Sequence, residues 1–157
     1  MTKPLLHTLA LAAALGSAGA QAQSYGNNIT LEQAKTVINA AETEAANRNW
    51  PMAIAVVDTA GQLVAYVKRD DTQNASVEVS QAKARSAVLY KRPTKAFQDL
   101  IAQGGINLRV LTLEGAVAAE GGIPLTVDGK IIGAIGVSGM ASDQDGVVAA
   151  AGAAALQ

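Results

Sequence analysis

The chain has no cysteine, and its one histidine, His7, lies within the first ten residues. Without cysteine there is no disulfide to brace the fold, and no thiolate for zinc binding, haem attachment or redox exchange. Packing or assembly must hold the fold together instead. Aromatic residues are sparse as well: one Trp, three Tyr and one Phe in 157 residues leave few flat faces. Neither sign of charge prevails, with 12 Lys and Arg against 13 Asp and Glu. Such balance argues against a nucleic-acid surface, which needs clustered Lys and Arg. The "KRPTK" run from Lys91 to Lys95 reads as a helix end and linker with solvated cations. Long apolar runs are missing too, since the stretch from Leu9 to Leu15 falls well short of the ~20 residues of a membrane helix.

That short run has its own meaning. "MTKPLLHTLALAAALGSAGAQAQ" places Lys3 before an apolar core and ends it in Ala20-Gln21-Ala22, the layout of a secretory signal peptide with an A-x-A cleavage site. Residues 1–22 are therefore expected to be removed and the protein to be periplasmic or secreted, with a mature domain over 23–157. A chain of that length suits one domain with one core. His7 leaves with the leader, so the mature chain is expected to lack histidine altogether. This excludes a Ser-His-Asp triad, the usual zinc sites and a histidine-ligated haem. Carboxylates, Lys and Tyr remain for acid, base or nucleophilic work.

Local patterns set out the elements. "SYGNN" reads as a short flexible lead-in. Thr30 and Gln33 have capping-box spacing, and Leu31, Ala34, Val37, Ile38, Ala41 and Ala45 follow at helical intervals. Pro51 closes that segment. "MAIAVVD" and "QLVAYVKR", joined by the turn residues "DTAG", predict an antiparallel hairpin over residues 52–69. A second helix is expected through "NASVEVSQAKARSAVLYK", with Ala75, Val79, Ala82 and Ala87 in register, and "KAFQDLIAQ" predicts a third, stopped by Gly104-Gly105. Residues 106–119 fit a short helix or a further strand. "GGIPLTV" and "KIIGAIGVSG" flank Asp128-Gly129, which favours a type I′ turn and a second hairpin. Ser142 is expected to cap a final helix with Asp143 and Asp145 in its first turn. The rest of that helix is almost wholly apolar, so it must bury against its own sheet or another subunit, which predicts a homo-oligomer. Two hairpins without a βαβ crossover give an α/β domain with an antiparallel sheet and helices on its faces.

The second hairpin is unusually rich in glycine: Gly121, Gly122, Gly129, Gly133, Gly136 and Gly139. Glycine weakens strands, so this abundance needs a reason: a phosphate loop, tight turns, or a backbone that something approaches closely. The GxxGxxG spacing is not that of a dinucleotide fold and falls inside a strand; the Walker pattern is absent too. Gly133 and Gly139 share one strand face and Gly136 takes the other. Either helices press on a glycine floor, or missing side chains leave a shallow recess for a flat ligand, with Gly121 and Gly122 bending the strand at its rim and Pro124 just beyond.

Taken together, "MAIAVVDTAGQLVAYVKRDD", "KARSA", "GGIPLTVDGKIIGAIGVSG" and "QDGVVAAAG" resemble the GlcG/HbpS family of haem-binding-like proteins, which is also found as the C-terminal domain of PduO-type proteins. The resemblance spans nearly all of residues 23–157. It implies one α/β domain with an antiparallel, profilin-like sheet of about five strands flanked by helices, assembled into homo-oligomers. It also implies binding of a small molecule, with haem or a corrinoid-related ligand known in some members, while others sit beside glycolate-utilisation enzymes. Two departures stand out. The family's Arg-Met-Asp-Gly-Ala stretch is "KRDDTQNAS" here, which keeps Arg69, and where relatives ligate haem through histidine the mature chain has none.

If haem binds, its iron has Met52, Met140, Tyr25, Tyr66, Tyr90 or the weak oxygen donor Thr112 to turn to, or no protein ligand at all. Arg69, Lys83 and Arg85 are the cations available to propionates or another carboxylate. Plain packing or solvation is the alternative for each. An enzyme acting on a small organic acid is the other functional reading, with Lys83, Glu114 or Glu120 as acid or base.

Overall fold

The computed structural model describes residues 23–156, so the expected leader lies outside the described residues. The first helix, α1 (Leu31–Asn47), opens on the expected capping box: Gln33 donates its backbone N–H to the Thr30 hydroxyl, and its side chain accepts from the Thr30 N–H. Ala34, Val37, Ile38, Ala41 and Ala45 form its buried stripe, while Leu31 is exposed. The helix ends in a Schellman turn, in which Asn49 adopts positive φ and the N–H groups of Asn49 and Trp50 return to the Ala46 and Ala45 carbonyls.

Strands β1 (Ala53–Asp58) and β2 (Leu63–Lys68) form the first hairpin. The Asp58 carboxylate accepts from Ala60 and Gln62 in the turn, and Gly61 supplies positive φ. Helices α2 (Ser76–Leu89) and α3 (Thr94–Gln103) follow. Residues 106–119, expected as helix or strand, hold a 3-10 helix at Gly105–Thr112 and then irregular backbone. Strands β3 (Gly122–Val127) and β4 (Lys130–Ser138) make the second hairpin, whose Asp128 and Gly129 both have positive φ as a type I′ turn requires. Helix α4 (Ser142–Ala154) closes the chain. Its N-cap is Ala141 and not Ser142; the Gln144 side chain satisfies the Ala141 N–H.

The sheet is antiparallel with order β2-β1-β4-β3. It has four strands where about five were expected; what adds to it is a single parallel bridge from Tyr25 to Ile131 in the lead-in. That segment is tied down, because Ile131 donates to the Ser24 carbonyl, Gly26 to the Ile131 carbonyl and Ile29 to the Ile132 carbonyl. Helices α1 and α4 cover one face, where Val37, Ala41, Val148 and Ala149 meet Ile54, Val56, Ile135 and Val137. Helix α2 covers the other, setting Ala84, Ala87 and Val88 on Val57, Ile131 and Ala134.

The inward stripe of α2 differs from expectation. Ala75 and Val79 are exposed, and Ser76, Ser80, Lys83 and Ala87 face the sheet. Gly136 explains this choice: a methyl group there would fall on the Ser80 carbonyl and on Ala84, so the helix lies directly on the β4 backbone. Where the helix crosses Gly136 its residues are the small Ser80 and Ala84. Of the two explanations for the glycine-rich strand, close approach is the one observed at Gly133, Gly136 and Gly139, each of which has backbone of a neighbouring segment where a Cβ would stand.

Candidate functional site

Lys83 is the largest fully buried side chain among the described residues, at 2% exposure. Helix α2 drives it toward the sheet, where its ammonium donates to Asp145 Oδ2 at 2.6 Å and to the Val137 carbonyl at 3.1 Å. Asp145 comes from the first turn of α4, and its other oxygen accepts from the Met140 N–H at 3.1 Å. One ion pair thus ties α2, β4 and α4 together. Burial pushes the Asp145 carboxyl above the usual carboxylate range, outweighing the pull of Lys83 and of the Met140 and Gly139 amides.

Gly121 and Gly122 cross directly over this pair. A Cβ at Gly121 would stand 2.6 Å from the Val137 oxygen and 3.0 Å from Lys83 Nζ, and one at Gly122 would stand 2.6 Å from the Thr94 methyl. Gly122 donates to the Thr94 hydroxyl at 2.9 Å, and Glu120 donates its N–H to the Gln98 side chain at 2.8 Å. The Glu120 carboxylate packs on Gly146 of α4. Lys83, Gly121 and Gly122 are therefore brought together, but their space is filled. A substrate has no route to Lys83 in this arrangement.

The other expected residues lie elsewhere. Arg85 is exposed on α2, with its side chain against Gly61. Pro124 is half-buried in β3 opposite Ala134. Arg69 lines an open cleft of about 650 Å³ together with Trp50. Thr112 is exposed at the end of the 3-10 helix, its hydroxyl donating to the Arg109 carbonyl at 2.8 Å. A further open cleft of about 630 Å³ lies between Tyr25, Thr30, Gln33 and Lys130; of the candidate site residues read from the sequence it holds only Tyr25, a candidate iron donor.

The 3-10 helix is the region's exposed apolar surface. Eight residues is long for this helix type, which rarely exceeds one or two turns. At three residues per turn Val110 anchors the inner side, while Ile106, Arg109 and Thr112 align on one outer stripe and Leu108 and Leu111 on another. Ile106 is 77% and Leu111 69% exposed, with Leu108 and Leu113 also open. Tyr90, which donates to the Glu114 carbonyl at 2.6 Å, and Ser86, which accepts from Val117 N–H at 2.9 Å, hold the following loop to α2.

A family model described as haem degrading protein HbpS-like matches residues 29–154. The chain belongs to this HbpS-like family. It is 40% identical to Protein GlcG of Escherichia coli K12 over 110 residues, 70% of this chain and 81% of that protein. It also superposes on the crystal structure of HbpS with a TM-score of 0.76 at 30% identity, covering 94% of this chain and 99% of that one. The crystal structure of a PduOC–haem complex matches with a TM-score of 0.74 at 26% identity, over 83% of this chain and 96% of that one.

The donors for a haem iron can now be sorted. Met52 is fully buried in the core, and the Tyr25 and Tyr90 hydroxyls already donate to the Val88 and Glu114 carbonyls. The Tyr66 hydroxyl is buried without a partner among the described residues, and burial, with Glu78 nearby, raises its pKa. Thr112 and Met140 are exposed. Among the described residues no group of three His, Cys, Asp or Glu could hold a metal ion. Of these donors only Met140 and Thr112 stand on the exposed surface, so the set offers an iron at most a weak ligand there.

Asp145, Thr94, Gln98 and Arg109 were not singled out from the sequence as site residues. Asp145 was legible only as a favourable charge at a helix N-terminus. Its pairing with Lys83 joins positions 62 residues apart, and no local pattern reports that.

Proposed function

We propose that this chain is an exported protein that binds a flat, apolar, carboxylated ligand, haem being the tetrapyrrole to try first, on the outer surface of the 3-10 helix. The two exposed stripes of the 3-10 helix, Ile106 with Arg109 and Leu108 with Leu111, carry this reading. Apolar side chains left in water at that density mark a contact surface. Arg109 and Thr112 stand on the same side as Ile106, so a propionate would meet the guanidinium while the ring covers the apolar residues. Family membership and the haem complex of the PduO domain support the ligand class.

Titrating purified protein with haemin tests it. A saturable shift of the porphyrin band is expected, lost in Leu111→Asp and weakened in Arg109→Glu, while Thr112→Ala alters the spectrum only slightly because apolar contact dominates. No shift at micromolar protein retires the haem reading. Homo-oligomerisation belongs to the same proposal. Val147, Ala150 and Ala154 leave an exposed apolar face on α4, which a second subunit would cover. Export is checked separately, by the mature protein beginning at Gln23.

A further inference from the structure

The cleft beside Trp50 has no part in the haem reading, yet its charges are placed unusually. Lys68 and Arg69 line it together with Glu42, Asp70 and Asp71. Among the described residues, none of these two cations and three carboxylates lies within ion-pair distance of an opposite charge. Opposite charges around one cleft of about 650 Å³ that do not neutralise one another leave both signs available to a ligand. A plain anion would meet three carboxylates and a plain cation would meet Lys68 and Arg69. A molecule carrying both charges satisfies each side.

The walls are fixed in place. Trp50 is set by the Schellman turn that ends α1, and Arg48 stacks over its ring at 4.9 Å while bonding Glu44 at 2.6 Å; of the two guanidinium groups nearest Trp50, Arg69 lines the cleft without an ion-pair partner among the described residues. The Arg69 N–H is held by the Met52 carbonyl at 3.0 Å. The turn after Arg69 closes on itself, with positive φ at Asp71 and the buried Thr72 hydroxyl donating to the Arg69 carbonyl at 2.8 Å. Such a frame fixes the backbone from which the charged side chains of the cleft project.

We propose that this cleft is a binding site for a small zwitterion of the α-amino acid class. Its carboxylate is taken by the fork of Arg69, its ammonium by the carboxylates of Glu42, Asp70 and Asp71, and its apolar body lies against Trp50.

Trp50 is the chain's single tryptophan, so in the folded protein its fluorescence reports on this cleft without a contribution from any other tryptophan. The full mature protein, free of haemin, is titrated with L-leucine, L-phenylalanine, L-glutamate and L-lysine, and in matched arms with 4-methylpentanoate and 3-methylbutylamine, the leucine skeleton lacking one charge each. A saturable change with at least one amino acid is expected, with no response to either single-charge analogue. Arg69→Gln should weaken binding at least about tenfold, the loss of a charged hydrogen-bond pair, with melting temperature and haemin titration unchanged. If Arg69→Gln fails to fold, Arg69→Lys, which keeps the charge and loses the fork, gives the same reading. The proposal is overturned if no amino acid gives a saturable change, if 4-methylpentanoate binds as well as leucine, or if both Arg69 variants bind like the parent. Haemin binding by the parent is scored independently, so either reading can fail without the other.

Discussion

Replacing Lys83 by Met and Asp145 by Asn, singly and together, tests the one buried ion pair among the described residues. Both side chains are almost fully buried and 2.6 Å apart. Taking two charges out of water costs several kcal/mol each, so such a pair is a weak stabiliser relative to apolar residues, but removing one partner strands the other. Asp145→Asn keeps an oxygen for the Met140 N–H and leaves the Lys83 ammonium without a counter-charge. The expected loss is about 3–5 kcal/mol at pH 7, roughly a 10–20 °C drop in Tm for a domain of this size. Lys83→Met should behave differently, because a carboxyl can escape its burial by taking up a proton. Asp145 already binds its proton more tightly folded than free. Its contribution is therefore most favourable below the unfolded carboxyl pKa and declines as pH rises through the folded value. Removing Lys83 widens that window upward. Lys83→Met should thus lie close to the parent near pH 4 and fall progressively behind it toward pH 7. The double variant should recover about 2–3 kcal/mol relative to the sum of the singles at pH 7. Urea unfolding followed by Trp50 fluorescence from pH 4 to 7 measures all of these. Additive single losses, or a Lys83→Met deficit that does not grow with pH, would refute the assignment of the pair as coupled and burial-dominated.

Three further outcomes follow from the packing. Gly136→Ala should cost at least about 3 kcal/mol in urea unfolding, since overpacking against backbone cannot be relieved by a rotamer change; a loss below about 1 kcal/mol would mean that α2 does not rest on β4 as described. Tyr66→Phe should be neutral or stabilising by up to about 1 kcal/mol, because the hydroxyl it removes is buried without a partner. Ala150→Asp, on the exposed face of α4, should leave the monomer's stability within about 0.5 kcal/mol and shift sedimentation toward smaller species. An unchanged sedimentation profile, or a parent that is already monomeric, would remove α4 from any subunit contact.

Much of the fold was legible because its instructions are local. Thr30 with Gln33, Asp58 through Gly61, and Asp128 with Gly129 each specify a cap or a turn from a few neighbouring residues, and each stands as expected. The lead-in reads as flexible in the sequence because its partners are distant: Tyr25 reaches the α2 C-terminus at Val88 and the β4 backbone at Ile131. Ser142 is already the first helical residue, so the cap position falls on Ala141, which offers no side-chain acceptor to the first-turn N–H groups; Gln144 satisfies only the N–H of Ala141 itself.

The inner stripe of α2 was obscured for a deeper reason. Ranking positions by hydrophobicity selects Ala75 and Val79 and rejects Ser76, Ser80 and Lys83, yet the second set is buried. At Ser80 and Ala84 size and not polarity decides, because Gly136 brings the helix backbone against the sheet, whereas Lys83 is buried because its ammonium reaches Asp145. The spacing of Ser76, Ser80, Lys83 and Ala87 is itself helical, and a strand bearing Gly133, Gly136 and Gly139 calls for a small-residue helix above it. Once that match is made, a lysine on the stripe must end at a buried acceptor, and Asp145 is the one buried carboxylate among the described residues. Gly121 and Gly122 then follow from the pair, since the strand entering beside it has no room for a Cβ. The glycines, the close-packed stripe and the ion pair are thus one solution to close packing, which fills the space around Lys83 and leaves the 3-10 helix and the open clefts on the outer surface for a ligand.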